Sequence, residues 1–194
     1  MRVVGGIWKG RSLDAPNGRD TRPTTDRVRE SIASSVLSFF DLSLEGVRVL
    51  DAFAGSGAFG IEMLSRGAES CTFVDAGRQA ARTVSKNLSS LSARPGSFSV
   101  MCADAFKAAE SFAGRGDTFD LVFLDPPYAM PAQEVSRLVG ALLSAGCIAD
   151  DGIVVYERAA SAPPLDSARL IPERTKKLGE TAIDYYRIGA ADAA

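Results

Sequence analysis

From residue 47 onward the sequence alternates between short apolar segments and longer segments with helical periodicity. The short segments are rich in Val, Leu and Phe and have the length of buried strands. The predicted order is strand 47–51, helix to 66, strand 70–75, helix near 77–91, strand 98–102, helix near 104–113 and strand 119–124. Since successive parallel strands connect through right-handed helical crossovers, this βαβαβαβ order predicts a parallel sheet with helices on both faces.

The C-terminal part departs from this alternation. A helix over 132–145, a strand over 152–157 and two extended runs near 168–173 and 181–188 are predicted there. These segments supply a fifth parallel strand and a closing hairpin, which bring the sheet to seven mostly parallel strands. The predicted fold class is therefore α/β with a Rossmann-like topology.

The first 40 residues lie outside the alternating pattern. Glycines punctuate short runs over 2–13, which predicts a small hairpin or loop arm, and apolar residues at helical spacing predict a helix over 25–40. A chain of 194 residues suits one domain. We therefore treat residues 1–40 as an extension of the same unit, 41–189 as the main domain and 190–194 as a frayed tail.

Composition narrows the chemistry further. The chain contains no histidine, which excludes Ser-His-Asp and Cys-His catalysis and removes the commonest zinc ligand. The cysteines, Cys71, Cys102 and Cys147, lack metal-type spacing and suit reduced thiols. No apolar run approaches the roughly 18 residues of a membrane-spanning helix. We expect a cytoplasmic monomer that binds neither metal nor membrane.

The net charge of −2 is unevenly distributed along the chain. Residues 1–30 carry a net charge of +3 and residues 169–187 a net charge of +2, whereas residues 31–168 carry −6. Basic ends allow a local surface that contacts phosphates. Ordinary solvated arginines and lysines would give the same count, so charge alone leaves the partner open.

A glycine-rich loop follows the first strand and opens a helix, where nucleotide-type ligands bind in this fold class. Residues 51–60, DAFAGSGAFG, contain the pattern GxGxxG, which is typical of dinucleotide sites and also of plain strand-to-helix turns. Asp51 favours another ligand, because a carboxylate repels a pyrophosphate and attracts the sulfonium and ammonium groups of S-adenosylmethionine. The predicted cofactor contacts in this loop are Asp51, Phe53, Gly55, Ser56 and Gly57.

Two further acidic residues follow predicted strands. Asp75 ends the second strand, where a carboxylate can accept hydrogen bonds from both ribose hydroxyls. Asp104, with Ala105 beside it, follows the third strand and could accept a hydrogen bond from the adenine amine. Each acid could instead cap the helix that follows. Their placement at successive strand ends favours a cofactor site.

The fourth strand is followed by residues 125–128, DPPY. An exocyclic amine of a nucleobase is a poor nucleophile, so acceptors must hold its hydrogens and orient its lone pair. The Asp125 carboxylate and the Pro126 carbonyl can be those acceptors, since prolines fix the backbone and remove competing N–H groups. Tyr128 can stack on a base pulled out of its helix or loop. The alternative is a turn that the prolines merely stiffen.

Several runs closely resemble the RsmD family of 16S ribosomal RNA guanine-N2 methyltransferases. They are 22–30 (RPTTDRVRE), 51–57 (DAFAGSG), 64–68 (LSRGA), 125–128 (DPPY) and 179–181 (GET). The resemblance covers nearly the whole chain, although Asp75 stands where the family pattern has Glu. It implies the class I S-adenosylmethionine-dependent methyltransferase fold and a substrate that is 16S rRNA or the small ribosomal subunit. It also implies an RNA-facing N-terminal element, formed by Arg22, Thr24, Thr25, Arg27 and Arg29.

The resemblance and the residues together predict methyl transfer to the N2 amine of a guanine. Methyl transfer from a sulfonium to a neutral amine moves positive charge without creating any, so positioning matters more than a strong base. Three alternatives share some of these features: an adenine-N6 methyltransferase, which has the same Asp-Pro-Pro-Tyr loop, a NAD-dependent oxidoreductase, and a non-catalytic RNA-binding module. Asp51 and the absence of histidine count against the oxidoreductase. The basic N-terminal residues could also only cap and solvate the helix over 25–40.

Overall fold

A computed structural model of the chain describes residues 1–16 and 26–189, so the tail predicted over 190–194 lies outside the described residues. The strands are β1 (Arg48–Asp51), β2 (Ser70–Asp75), β3 (Phe98–Cys102), β4 (Phe119–Leu124), β5 (Ile148–Ala159), β6 (Leu170–Leu178) and β7 (Thr181–Ile188). The α-helices are α1 (Asp26–Phe39), α2 (Ala58–Ser65), α3 (Arg78–Ser90), α4 (Ala105–Arg115) and α5 (Ala132–Ser144). In the described ranges no helix is long and apolar enough to cross a membrane.

The strands form one seven-stranded sheet with the order β3-β2-β1-β4-β5-β7-β6. Strands β1 to β5 run parallel to one another, and β7 is antiparallel to both β5 and β6. The predicted mostly parallel seven-stranded α/β fold is therefore confirmed. Strand β7 has the predicted bounds, whereas β5 and β6 are longer than predicted, since β7 pairs with β5 as far as residue 159 and with β6 as far as residue 178.

The sheet separates two hydrophobic layers. On one face Ile32 of α1, Ile61 of α2 and Val84 of α3 pack together, and on the other Phe112 of α4 packs with Leu138 of α5. Neighbouring residues of a strand enter opposite layers, as the two-residue period of a strand requires. Both faces of the sheet are therefore covered, and its carboxyl edge is the place where the loops can build a site.

The N-terminal arm, residues 1–13, packs against helix α2. Val4 donates its backbone N–H to Glu62 Oε2 at 2.8 Å, and Trp8 donates its N–H to Ser65 Oγ at 2.9 Å. Glu62 is fully buried and also accepts from Arg66 Nε at 2.8 Å, so its charge is paired inside the core. The arm is consequently bound to the helix that begins at the glycine-rich loop.

Candidate active site

Four acidic residues lie near the carboxyl ends of β1, β2, β4 and β5. Asp51 is in register with Phe73 of β2 and with Phe123 of β4. Leu124 is in register with Tyr156, so the next residues along these parallel strands, Asp125 and Glu157, lie side by side; β4 ends before Asp125, whereas Glu157 is still paired with Ile183 of β7. The fourth acid is Asp75, the last residue of β2. No metal-binding cluster of three or more acidic or cysteine side chains occurs among the residues that the structure describes.

The glycine-rich loop has the geometry of a tight strand-to-helix turn. Gly57 has a φ of +77° and donates its N–H to the Ala54 carbonyl at 2.6 Å, which ends the turn and starts α2. Gly60 lies in the first turn of α2, where an added Cβ would collide with the Phe73 ring and the Cys71 sulfur of β2. These glycines therefore serve the close approach of α2 to the sheet.

Asp51 is only 1% exposed, at the end of β1. Its Oδ2 accepts a hydrogen bond from the Gly60 N–H at 3.1 Å. Burial, with a smaller contribution from the negative charge of nearby Asp75, raises the pKa of Asp51 to about 7, despite the lowering effect of the Gly60 hydrogen bond. Among the described residues no arginine or lysine forms an ion pair with Asp51. A cation that entered this loop would stabilise the ionised form of the carboxyl group.

Asp75 supports the glycine-rich loop directly. Its Oδ2 accepts from the Gly55 N–H and its Oδ1 from the Gly77 N–H, each at 2.8 Å. The two bonds tie the loop after β1 to the turn after β2. A carboxylate oxygen has room for a second donor, so both the predicted ribose contact and this structural role are compatible with the geometry.

Asp104 is the N-cap of α4. Its Oδ1 accepts from the backbone N–H groups of Phe106 at 3.0 Å and of Lys107 at 3.4 Å. The capping role considered for this residue is thus present, with Ala105 as the first residue of the helix. Phe53 is half-buried and packs against the core layer that contains α4. These residues share the sheet edge at which Asp51 and Asp75 lie.

A buried residue outside the predicted set, Asn87 of α3, connects the loop to the N-terminal arm. Its amide donates to the Ser56 carbonyl at 2.9 Å and to the Asp14 carbonyl at 3.0 Å. Its Oδ1 accepts from the Asp14 N–H at 2.9 Å. Asn87 is 2% exposed. A buried asparagine in a predicted amphipathic helix is a signal that it has specific partners, but the sequence does not say which.

The loop 125–128 opens from β4 beside these acids. Met130 donates its N–H to the Pro127 carbonyl at 2.8 Å, and Phe123 stacks on Phe59 with ring centroids 3.7 Å apart, which together hold the base of the loop. Pro126 is half-buried. The Tyr128 side chain is 65% exposed, so its ring face is open to a planar partner.

Asp125, the first residue after β4, retains exposed surface in the ligand-free chain. Desolvation, and then the negative charges of Glu157 and Asp51, hold the pKa of Asp125 well above its ordinary value. Glu157 itself is only 8% exposed. Sequence reasoning missed Glu157, although the predicted fifth strand ends at that residue. Its position beside Asp125 makes it the second carboxyl group of the site.

A hollow of about 600 Å³ adjoins this loop. It is lined by Tyr128 from the β4 loop, by Ala159, Ala160 and Ser161 at and after the end of β5, and by Gly179 and Glu180 in the turn between β6 and β7. The run 179–181 therefore meets the run 125–128 in space. Together they form a depression beside the carboxyl edge of the sheet.

The residues expected to face RNA differ in their exposure to solvent. Arg22, Thr24 and Thr25 lie outside the described residues. Arg27 is exposed on α1. Arg29 is only 2% exposed and its Nη2 donates to the Arg2 carbonyl at 2.6 Å and to Asp26 Oδ1 at 2.7 Å. A direct RNA contact by Arg29 is inconsistent with this burial, because its guanidinium joins the N-terminal arm to α1.

The fold and the acidic, glycine-rich edge define the class of Rossmann-like S-adenosylmethionine-dependent methyltransferases. Within that class, the family model described as conserved hypothetical protein 95 matches residues 1–187. The chain belongs to this family, the RsmD family of ribosomal RNA methyltransferases.

Relatives match over almost the full chain. YlbH of Bacillus subtilis (strain 168) is 40% identical over 188 residues, which are 96% of this chain and 98% of that protein. The ribosomal RNA small subunit methyltransferase D of Escherichia coli (strain K12) is 32% identical over 96% of this chain and 89% of its own length. The solved structure of YhhF from Escherichia coli has a TM-score of 0.78 at 33% identity and covers 98% of this chain and 99% of that one.

Proposed function

We propose that the protein transfers a methyl group from S-adenosylmethionine to the exocyclic N2 amine of a guanine in 16S ribosomal RNA, as naked RNA or within the small subunit. The observation that carries the proposal is the position of the Asp125-Pro-Pro-Tyr128 loop beside the acidic edge of the sheet. Membership of the RsmD family supports ribosomal RNA as the substrate. The choice of guanine N2 rests on the family resemblance of the sequence motifs.

The acidic edge fits the proposed cofactor. Asp51 is buried without an ion-pair partner among the described residues, and its raised pKa indicates that a cationic group would stabilise it. When bound, S-adenosylmethionine supplies an electrophilic methyl group on a sulfonium. We assign Asp51 to the cationic end of the cofactor, Asp75 to its ribose and Asp104 to its adenine. Phe53, Gly55, Ser56, Gly57 and Ala105 complete the proposed cofactor site.

Asp125 and the Pro126 carbonyl are the proposed acceptors for the amine hydrogens. Holding both hydrogens fixes the direction of the nitrogen lone pair, which is the main requirement of this reaction. Positive charge then develops on the nitrogen, and the Asp125 carboxylate stabilises it and can accept the released proton. Glu157 increases the proton affinity of Asp125. Tyr128 is the proposed stacking surface for the extruded base.

The test is single-turnover transfer of labelled methyl to unmodified 16S rRNA or small subunits. For Asp125→Ala we expect a rate lowered about a hundredfold to a thousandfold, since an oriented transition-state group contributes about 2.7–4 kcal/mol. Cofactor affinity and melting temperature should stay near those of the parent. The matched control is Asp151→Ala, an exposed carboxylate of β5, which should not alter the rate.

Digestion of the product to nucleosides identifies the methylated atom. Recovery of N2-methylguanosine supports the proposal. Recovery of N6-methyladenosine would instead favour the adenine-N6 alternative, which uses the same loop. A folded, cofactor-binding Asp125→Ala variant that methylates within a factor of about three, less than 1 kcal/mol in barrier, would contradict the mechanism.

A further inference from the structure

Cations are concentrated along the open edge of the sheet. Strand β6 is the last strand in the sheet order, so one of its edges has no neighbouring strand among the residues that the structure describes. Its second half carries Arg174, Lys176 and Lys177; Arg174 and Lys177 are exposed, and Lys176 is half-buried. The only acid of that strand is Glu173, and it is paired with Arg187 at 3.4 Å.

Helix α1 lies beside these cations. Lys176 Nζ donates to Ser31 Oγ at 3.4 Å, and the Arg174 guanidinium lies over the Phe39 ring at 5.8 Å from its centroid. Arg27 is exposed on the same side of α1 as Ser31, one helical turn earlier. Lys177 is the next residue of β6 after Lys176 and points to the opposite face of the sheet. We call the three cations Arg27, Arg174 and Lys176 the α1/β6 seam.

The cations of the α1/β6 seam differ from other surface cations in their partners. Within residues 1–16 and 26–189, none of the three forms an ion pair, whereas Arg48, Arg115 and Arg137 elsewhere on the surface do. Desolvation and the adjacent charge of Arg174 lower the pKa of Lys176. Cations that face one another without counterions attract a ligand that carries several negative charges.

The direction of β6 brings the seam to the site. Strand β6 is antiparallel to β7, and β7 is antiparallel to β5, so β6 runs in the same direction as β4 and β5. Its last residues therefore lie at the same edge of the sheet as Asp125 and the end of β5. The turn that follows, with Gly179 and Glu180, lines the hollow beside Tyr128.

We propose that the α1/β6 seam binds backbone phosphates of the substrate RNA strand next to the nucleotide that Tyr128 receives. The inference rests on the proposed function, because it takes RNA as the substrate. Unpaired arginines and lysines in a row are suited to a backbone of regularly spaced phosphates, and such contacts set the position of a strand without reading its bases. The seam thus positions the RNA while the loop 125–128 contacts the reacting base.

The test compares two double variants of equal charge change. Arg174→Ala with Lys176→Ala removes two cations of the seam, and Arg82→Ala with Lys107→Ala removes two exposed cations from α3 and α4. Binding to the RNA that the parent methylates, as unmodified 16S rRNA or small subunits, is measured over a range of salt concentrations. Because the seam variant can no longer neutralise two single-strand phosphates, it should bind about ten- to thirtyfold more weakly near 0.1 M salt, and its slope of log K against log salt should fall by about 1.4.

Methylation kinetics give a second readout. The seam variant should show a raised KM for RNA, with kcat near that of the parent and unchanged cofactor affinity. If the parent methylates rRNA while the seam variant binds like the control pair, the inference is overturned and the proposed function stands. Weaker binding with an unchanged salt slope would also overturn it, because the two side chains would then not be neutralising phosphates. A parent that methylates no RNA would remove both the proposed function and this inference.

Discussion

The carboxylate of Asp51 accepts a hydrogen bond from the backbone N–H of Gly60 at 3.1 Å, across the glycine-rich loop that separates them. The bond joins the end of β1 to the first turn of α2, so it holds the two ends of the loop together. It also fixes the buried carboxyl group relative to the N-terminus of the helix. The position of the Asp51 charge therefore depends on the conformation of the glycine-rich loop.

Asp51→Asn should weaken the binding of S-adenosylmethionine roughly tenfold to a hundredfold. The substitution retains an oxygen that can accept from Gly60 and removes only the charge, and charge-assisted hydrogen bonds are worth about 1.5–3 kcal/mol. Isothermal titration calorimetry measures the affinity, and a melting curve shows that the variant is folded. Equal affinities for parent and variant would exclude Asp51 from the cationic end of the cofactor.

The pH dependence of cofactor binding should differ between the parent and the Asp51→Asn variant. The pKa of Asp51 is about 7 in the ligand-free chain, so the carboxyl group is increasingly protonated, and neutral, below that pH. A cation binds the ionised form, and the parent should therefore lose affinity as the pH falls from about 8 to about 6. In Asp51→Asn that part of the slope should vanish. Ionisation of the cofactor itself affects both proteins equally, so it cancels when their affinities are compared.

Gly60→Ala should destabilise the protein by about 1–3 kcal/mol, because its methyl group would overpack the contact between α2 and β2. The control is Gly140→Ala in α5, where an added Cβ meets nothing within 4 Å. That change should stabilise its helix by about 0.5–1 kcal/mol. Denaturant unfolding of both variants gives the two values. Equal stability changes would contradict the packing role of Gly60.

Asn87→Ala should lower both stability and cofactor affinity. It removes donors from the Ser56 and Asp14 carbonyls, and buried groups left unpaired cost about 1–3 kcal/mol. Thermal melting and calorimetry measure the two effects. Ser85→Ala, an exposed change on the same helix, is the control and should alter neither. A loss of stability without any loss of affinity would show that the bond to Ser56 does not shape the cofactor loop.

Glu157→Gln should shift the pH profile of methyl transfer toward lower pH. The negative charge of Glu157 raises the pKa of Asp125, so its removal lets Asp125 ionise at a lower pH. The proposed acceptor is the ionised carboxylate. The low-pH side of the pH–rate profile should therefore shift to lower pH together with the pKa of Asp125. An unchanged low-pH side would mean that Glu157 acts only through packing.

Much of the site can be predicted because it depends on local rules. The residue that ends or follows a parallel strand lies at the carboxyl edge of the sheet, and this rule alone predicts the positions of Asp51, Asp75 and Asp125. The same rule does not distinguish a ligand contact from a cap, and Asp104 does cap α4. The family resemblance implies that Arg29 faces RNA, but its burial beside Asp26 follows from how the arm meets α1.

The order of strands and helices, the glycine-rich turn and the acids at the strand ends follow from local patterns, since periodicity and turn chemistry act over a few residues. Contacts between distant residues depend on how the whole chain packs. Glu157 reaches Asp125 through strand register, and Lys176 reaches Ser31 across 145 residues of chain. Burial of apolar surface fixes the positions of the helices on the sheet. This packing brings together polar side chains that no local sequence pattern connects.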